Sequence, residues 1–401
     1  STNCYFSIYL FGWETLVILY MKYSIFFLLL LFVACTHKEV QSPLKKMDIP
    51  VSSMMSPINL SEIASSVKCI PLTMQDSIVM DELTQVIVKD SFIYAADRAS
   101  LYKFSLTGEL MSVVNHRGSS PTEYINISDF QVDEDGNVWV LSRNNKALFN
   151  YSWDGNLHKK ISLDTWFERF SIINGEKMLL YAGNEKSNEY RHTLYILDLQ
   201  KEKIVNRYLE IDDNKSVYLH VKSLNHFSYS GDSRFFYQMF NDTIYTLNKG
   251  GVPTPEYLLS FADKNIPSSF YEQKYSNIMD FFQNLLGKGY AYGTDLFLKN
   301  DTFSLYSFYY NRHAYWYVTK EKTSKLGNIL KDDVCLLGYE IQLEEASCFV
   351  QADDQIVIPL LPYSIMEYAN DKLDKQQKDR LLAMLRYIGE EQNPVLMIIK
   401  M

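Results

Sequence analysis

Two stretches of this chain, "LYKFSLTGEL" from Leu101 and "LFNYSWDGNL" from Leu148, repeat one another 47 residues apart, and no other feature restricts the fold as sharply. Leu101 and Leu148, Phe104 and Tyr151, Ser105 and Ser152, Gly108 and Gly155, and Leu110 and Leu157 correspond. Further copies begin at Leu194 ("LYILDLQKEKIV") and Ile244 ("IYTLNKGGVPTPEYLL"). The copies sit among short runs rich in Val, Ile, Tyr and Phe. In 85–114 four such runs are divided by Lys89-Asp90, Asp97-Arg98 and Thr107-Gly108, which reads as four strands with turns. Four strands at a period of about 40–50 residues make the blade of a β-propeller. One such sheet cannot cover both of its faces alone. Stacking blades around an axis buries them, and closing the ring protects the edges. The glycine in the last turn of the unit supplies the positive φ that a tight hairpin needs.

From Val67 to Met401 the chain would hold seven units at this spacing, but two stretches break the pattern. Residues 266–289 read as helix and loop. In 370–389, Asn370 is a candidate N-cap, Leu381, Met384, Leu385 and Ile388 follow helical spacing, and Gly389 is a plausible stop. These insertions take up about one unit of chain. The expectation is therefore an all-β, six-bladed propeller of four-stranded antiparallel blades over 61–401, with helical insertions near 266–289 and 370–389. The ending "NPVLMIIK" (393–400) is expected to pair in the last blade beside "VKCIPL" (67–72), so that both chain ends close the ring.

The segment before the repeats has a different character. Met21-Lys22 precedes an apolar run from Ile25 to Ala34, too short to span a bilayer but suited to the core of a secretory signal. Cys35 follows the small Ala34, and from Thr36 the chain turns polar. This resembles a bacterial lipoprotein signal, with Phe32 and Val33 where Leu and a small residue are usual, and the resemblance implies cleavage before Cys35 and lipid on its thiol. The alternative is an uncleaved anchor that also uses residues 4–20, although Glu14 and Lys22 interrupt it. The expected layout is an upstream translated segment at 1–20, a signal at 21–34, a lipidated N-terminus and Pro-dotted tether at 35–60, and the propeller at 61–401.

The stretch "HRGSSPTEYINISDFQVDEDGNVWVL" (116–141) carries a wider resemblance. The chain resembles the six-bladed β-propeller lipoproteins of Gram-negative gut bacteria, relatives of NHL-type propellers. Arg117, Gly118, Pro121, Glu123, Tyr124, Asp129 and Phe130 match the family's pattern, while Ser119, Ser120 and Thr122 depart from its glycine-rich form. "IPLTMQDSIVMDEL" before the first unit and "EEQNPVLMIIKM" at the end look like the family's edges. The resemblance implies a fold and an outer-membrane placement, facing the periplasm or the surface, and no particular reaction.

Chemical motifs are sparse. There is no GxSxG elbow, P-loop, HExxH or GxGxxG, and the seven histidines are scattered. No cofactor or metal site is expected. "DEDGN" (133–137) has carboxylates but lacks the rest of a calcium loop, and reads as a hairpin turn. The five cysteines show no CxxC. Of the three past Cys35, Cys335 and Cys348 either pair or, with Cys69, fill small core sites. Trp139, Trp316 and Tyr317 read as inter-blade core. A net charge of −9 without a basic cluster argues against nucleic acid.

One short inter-blade segment, His116–Tyr124, concentrates directional side chains. Arg117, Glu123 and Tyr124 are the candidate ligand-binding residues, because Arg offers a planar fork to carboxylate or sulfate and Tyr a ring face to a sugar. The alternative is a brace in which Arg117 pairs with Glu123 over a packed Tyr124. The expected function is a lipid-anchored binding or scaffolding module for a glycan, peptide or envelope-protein partner. The alternative is a propeller-type lyase or hydrolase, which three or more inward-facing His, Asp, Glu or Arg residues at one mouth would favour.

Overall fold

A strand covered by neighbours on both faces buries every side chain, whereas one at the outer rim alternates. Both kinds occur in the computed structural model, which describes residues 43–53, 55–74, 80–216, 223–385 and 393–401. In 129–162, the middle strands Val138–Ser142 and Ala147–Tyr151 are buried throughout, while the outermost, Leu157–Ser162, alternates. Antiparallel meanders of this kind recur at 85–114, 169–210, 227–260 and 292–327. The core lies between them. Tyr94, Phe130, Val140 and Phe149 join the first blade to the second, and Leu141, Phe170, Leu180 and Tyr195 the second to the third. Trp139 and Trp316 are core residues and Tyr317 is half-buried, as the sequence suggests. Gly108 and Gly155 occupy their turns with φ of 90°, and Glu202 takes φ 53° where the third copy has no glycine.

Seven blades are present, not six. The sixth needs only two strands of local sequence, Ile329–Asp332 and Tyr339–Gln342, because Ile58–Asn59 joins it in parallel. The seventh joins Phe349–Val350, Gln355–Leu360 and Val395–Lys400 to the N-terminal strand Ser66–Pro71. Val395 opposes Pro71 and Lys400 opposes Ser66, so the expected closure by both chain ends is present. The sixth blade is short because the N-terminal segment completes it, which a count of repeat lengths cannot register.

The boundary at residue 61 also moves. Lys45–Asp48 pairs in parallel with the outer strand of the fourth blade, and Ser56 donates its N–H to Leu326 O of the fifth at 3.1 Å. Residues 45–71 therefore lace the fourth to the seventh blades together and form part of the propeller rather than a tether. At Gly327 the segment passes so close that a Cβ would lie 2.1 Å from Ser56 O, which only glycine tolerates. Cys35 and the other residues read as signal and linker up to 42 lie outside the described residues.

The first insertion holds the helices Ser268–Tyr271 and Ile278–Lys288, the second ending at Gly289 with φ 63°. The second insertion forms two helices, Pro362–Lys372 and Lys375–Met384. Asn370 lies inside the first of them. The N-cap is Asp374, whose carboxylate accepts from Gln377 N while the Gln377 side chain accepts from Asp374 N. Ile388 and Gly389 lie outside the described residues. Cys69, Cys335 and Cys348 are free thiols, so the pairing of Cys335 with Cys348 does not occur. Among the described residues no helix is long and apolar enough to cross a membrane.

Candidate functional site

First strands touch between the first and second, second and third, fourth and fifth, and seventh and first blades, which places them toward the axis. Their splayed backbones are stitched by side chains. Gln85 accepts from Phe130 N and donates to Phe130 O. Asp129 accepts from Phe170 N at 2.8 Å, and Arg169 donates to Ser128 O at 2.7 Å. Asn225 donates to Asp295 O and Cys348 O and accepts from Val350 N. Gln351 donates to Val86 O and accepts from Val88 N, which carries the stitching back to the first blade. Each link supplies the backbone groups that blade-to-blade geometry leaves unpaired.

At the end where these strands begin, Asp129, Arg169 and His226 each stand just before a phenylalanine of consecutive blades. Above them is a cavity of about 300 Å³ lined by Asn126, Arg143, Glu168, Tyr181, Asn184 and Glu185, among others. Arg143 is central to it. Its Nε lies 2.8 Å from Glu168 and its second amino group 2.9 Å from Glu185. Its guanidinium stands 5.4 Å from the ring centre of Trp166, as does the Lys146 ammonium. Trp166 is 37% exposed, against 7% for Trp139 and 2% for Trp316. Two loops, the one carrying Trp166 and Glu168 and the one carrying Glu185, thus hold one planar fork in place over an aromatic ring.

Electrostatics separate these groups. His226 is buried, donates Nδ1–H to Tyr237 O at 3.2 Å and packs on Tyr181 at 3.9 Å. Burial, aided by Arg169, lowers its pKa to about 3, so it is neutral. Burial pushes Asp129 up to about 6, against the pull of Arg169 and the Phe170 and Phe130 amides. A carboxyl whose folded pKa exceeds its unfolded value of 3.8 contributes stability fully present below 3.8 and lost as pH rises through about 6. We expect wild type to lose about 3 kcal/mol against Asp129→Asn between pH 3.8 and 7, as two pKa units dictate. Urea unfolding of both proteins across that range measures it, and parallel profiles would contradict the burial of a charge.

The residues expected from sequence lie nearby but do not line this cavity. Tyr124 is fully buried, edge-on to Phe149 and Tyr151, with its hydroxyl donating to Ala99 O at 2.8 Å and accepting from His116 N at 3.1 Å. Its pKa is pushed up to about 12 by burial. It therefore has no face to offer a sugar, which corrects that expectation. Glu123 accepts from Ser120 N at 2.9 Å, and Arg117 is exposed. No ion pair joins the two, so the brace is real but is made by Tyr124 and the loop's own hydrogen bonds. Tyr151 OH and Lys160 donate to Thr122 O and Pro121 O and pin the loop to the second blade.

The segment "DEDGN" is the expected hairpin, with Asn137 N donating to Asp133. Cys69, Asp332 and Cys335 bring their ligand atoms within 4.8 Å of one another. Asp332, however, already accepts from Val334, Cys335 and Leu336 N–H groups. Two thiols remain, fewer than the donors a structural zinc takes.

The family described as Domain of unknown function (DUF4934) matches over residues 45–400. The crystal structure of a candidate exported protein from Bacteroides fragilis aligns over 90% of this chain and 100% of its own, at 17% identity and a TM-score of 0.66. A member of the DUF4221 family from Bacteroides vulgatus covers 84% of this chain and 98% of its own, at 10% identity and a TM-score of 0.48. No curated protein matches the chain. The likeness to the first structure speaks to the fold alone. Kinship with NHL-type propellers is not part of what these comparisons show.

Proposed function

We propose that this chain, which belongs to the DUF4934 family, is a binding module of the cell envelope that captures a polar ligand at the axial mouth. The carrying observation is the Arg143 fork, held between Glu168 and Glu185 against the half-open Trp166. A pre-ordered guanidinium over an aromatic ring suits a glycan or peptide bearing carboxylate, sulfate or hydroxyl groups. The short apolar run ending at Cys35 supports an outer-membrane lipoprotein, and the exported character stated for the Bacteroides fragilis relative agrees with it. Cys35→Ser is expected to abolish palmitate labelling, since only the thiol can take the lipid. Equal labelling of the variant would remove the anchor from this reading.

The mouth also meets the criterion for an enzyme, with Asp129, Arg169, His226 and Glu168 gathered there. The chemistry points the other way. Acid–base catalysis near neutral pH needs a pKa near neutrality and a free proton path. His226 lies far below that range, and Asp129, though at about 6, has its oxygens committed to backbone N–H groups. Glycan and peptide arrays test the binding reading. A ligand is expected whose affinity falls about tenfold in Trp166→Ala and in Arg143→Ala, as loss of one good contact does, with melting temperatures little changed. A ligand indifferent to both substitutions places capture elsewhere. Turnover of the captured ligand would make the protein an enzyme.

A further inference from the structure

A second cavity, of about 340 Å³, opens beside the first insertion, and its wall differs from that of the mouth. The helix Ile278–Lys288 buries Phe281 and Leu285 against Met239, Phe240 and Phe270, which leaves Phe282 turned to the first strand of the fifth blade. There Tyr292 is sandwiched: Phe240 stacks on it at 4.7 Å and Tyr309 at 5.3 Å. Phe282 lies 6.2 Å from Tyr292. Tyr292, Tyr309, Phe282 and Trp316 all line the cavity, and Tyr292, Tyr309 and Phe282 remain partly open.

Two carboxylates line this aromatic chamber, Glu344, which lies 2.9 Å from His313 Nδ1, and Asp295. Asp295 accepts hydrogen bonds from the hydroxyls of Ser307 and Tyr309. Among the described residues no Lys, Arg or His forms an ion pair with it, whereas Asp129 has Arg169 at 3.7 Å. Protein surrounds Asp295 closely enough that burial pushes its pKa up, and the surface it retains opens on the cavity. A carboxylate removed from water and lacking a counter-ion is costly to keep charged. Ring faces around it attract positive charge through their quadrupoles, so carboxylate and rings favour the same kind of guest. The volume suits a small molecule or one side chain.

We propose that this cavity binds an organic ammonium group, a primary or methylated amine, with Asp295 as its counter-ion and Tyr309 and Phe282 as its aromatic wall, Tyr292 holding Tyr309 in place by stacking. Its lining shares no residue with that of the cavity at the mouth. A neutral sugar ring could stack on the same rings, but it would supply no charge to Asp295.

The test is calorimetric titration of the full chain with choline, with butylamine, and with 3,3-dimethylbutan-1-ol, the uncharged isostere of choline. At least one of the two ammonium probes is expected to bind about tenfold or more tighter than the isostere, the scale of a desolvated cation–aromatic contact backed by a carboxylate. Asp295→Asn, which keeps the shape, is expected to erase that preference. Phe282→Leu leaves the carboxylate in place and is expected to weaken the ammonium probe about tenfold, so it serves if the asparagine variant fails to fold. The proposal is overturned if neither ammonium probe binds, if the isostere binds as well as they do, or if the preference survives Asp295→Asn or Phe282→Leu in a folded protein.

Discussion

Removal of residues 393–401 is expected to leave no folded propeller. The strand Val395–Lys400 lies inside the seventh blade, paired on one side with Gln355–Leu360 and on the other with Ser66–Pro71. Val395, Leu396, Met397 and Ile399 are fully buried and Ile398 nearly so. Each such side chain contributes about 1.5–3 kcal/mol, and five together match or exceed the whole stability of a typical domain, about 5–15 kcal/mol. The loss also strips Ser66–Pro71 of its only ladder partner in the sheet, which undoes the closure. The truncated chain should show no cooperative melt and rapid digestion by protease at room temperature. A truncated protein melting within a few degrees of the full chain would mean that the ring closes without this strand.

The second large effect is expected at Tyr124. Truncation to alanine empties a site with no exposed surface and deprives Ala99 O and His116 N of their partner. Large-to-small changes of buried aromatics cost about 3–5 kcal/mol, and unpaired buried polar groups add about 1–3 kcal/mol. Tyr124→Phe separates the two contributions, since it keeps the ring and loses only the hydroxyl. Arg117→Ala, seven residues away on the exposed side of the same loop, should fall within about 0.5 kcal/mol of wild type. Chemical unfolding of the three variants measures the set. Equal losses at Arg117 and Tyr124 would restore a load shared by both, and no loss at Tyr124 would contradict its burial.

The blades built from a single run of sequence were legible because burial imposes one strand–turn rhythm on each of them. Gly108 and Gly155 mark the same turn for the same conformational reason. The sixth blade was hidden because its third strand, Ile58–Asn59, comes from far upstream, where two residues carry no periodicity. Tyr124 was singled out with two roles open, a ligand contact or a packed brace, since sequence shows a directional side chain but not which way it faces; its burial favours the second. The mouth itself had a signal that went unused. Asp129-Phe130, Arg169-Phe170 and His226-Phe227 place a polar residue before a phenylalanine at the same point of successive blades, so aligning the starts of the units would have gathered them. Arg143, Trp166 and Glu185 had none, because loops of unequal length bring them together only in three dimensions.

The lacing of residues 45–71 across the fourth to the seventh blades also orders events in time. Lys45 meets Glu256, Ser61 meets Asp333 and Ser65 meets Lys400, partners 211, 272 and 335 residues further along. A chain made at about 5–20 residues per second reaches those partners only tens of seconds after its first strands emerge. The first five blades can form their four strands from neighbouring sequence as they appear, whereas the sixth and seventh must wait for a distant upstream segment to return. Such distant pairing makes folding slow and leaves strand edges open in the interval. The propeller is therefore a fold completed after synthesis, its earliest residues serving as its final fastening.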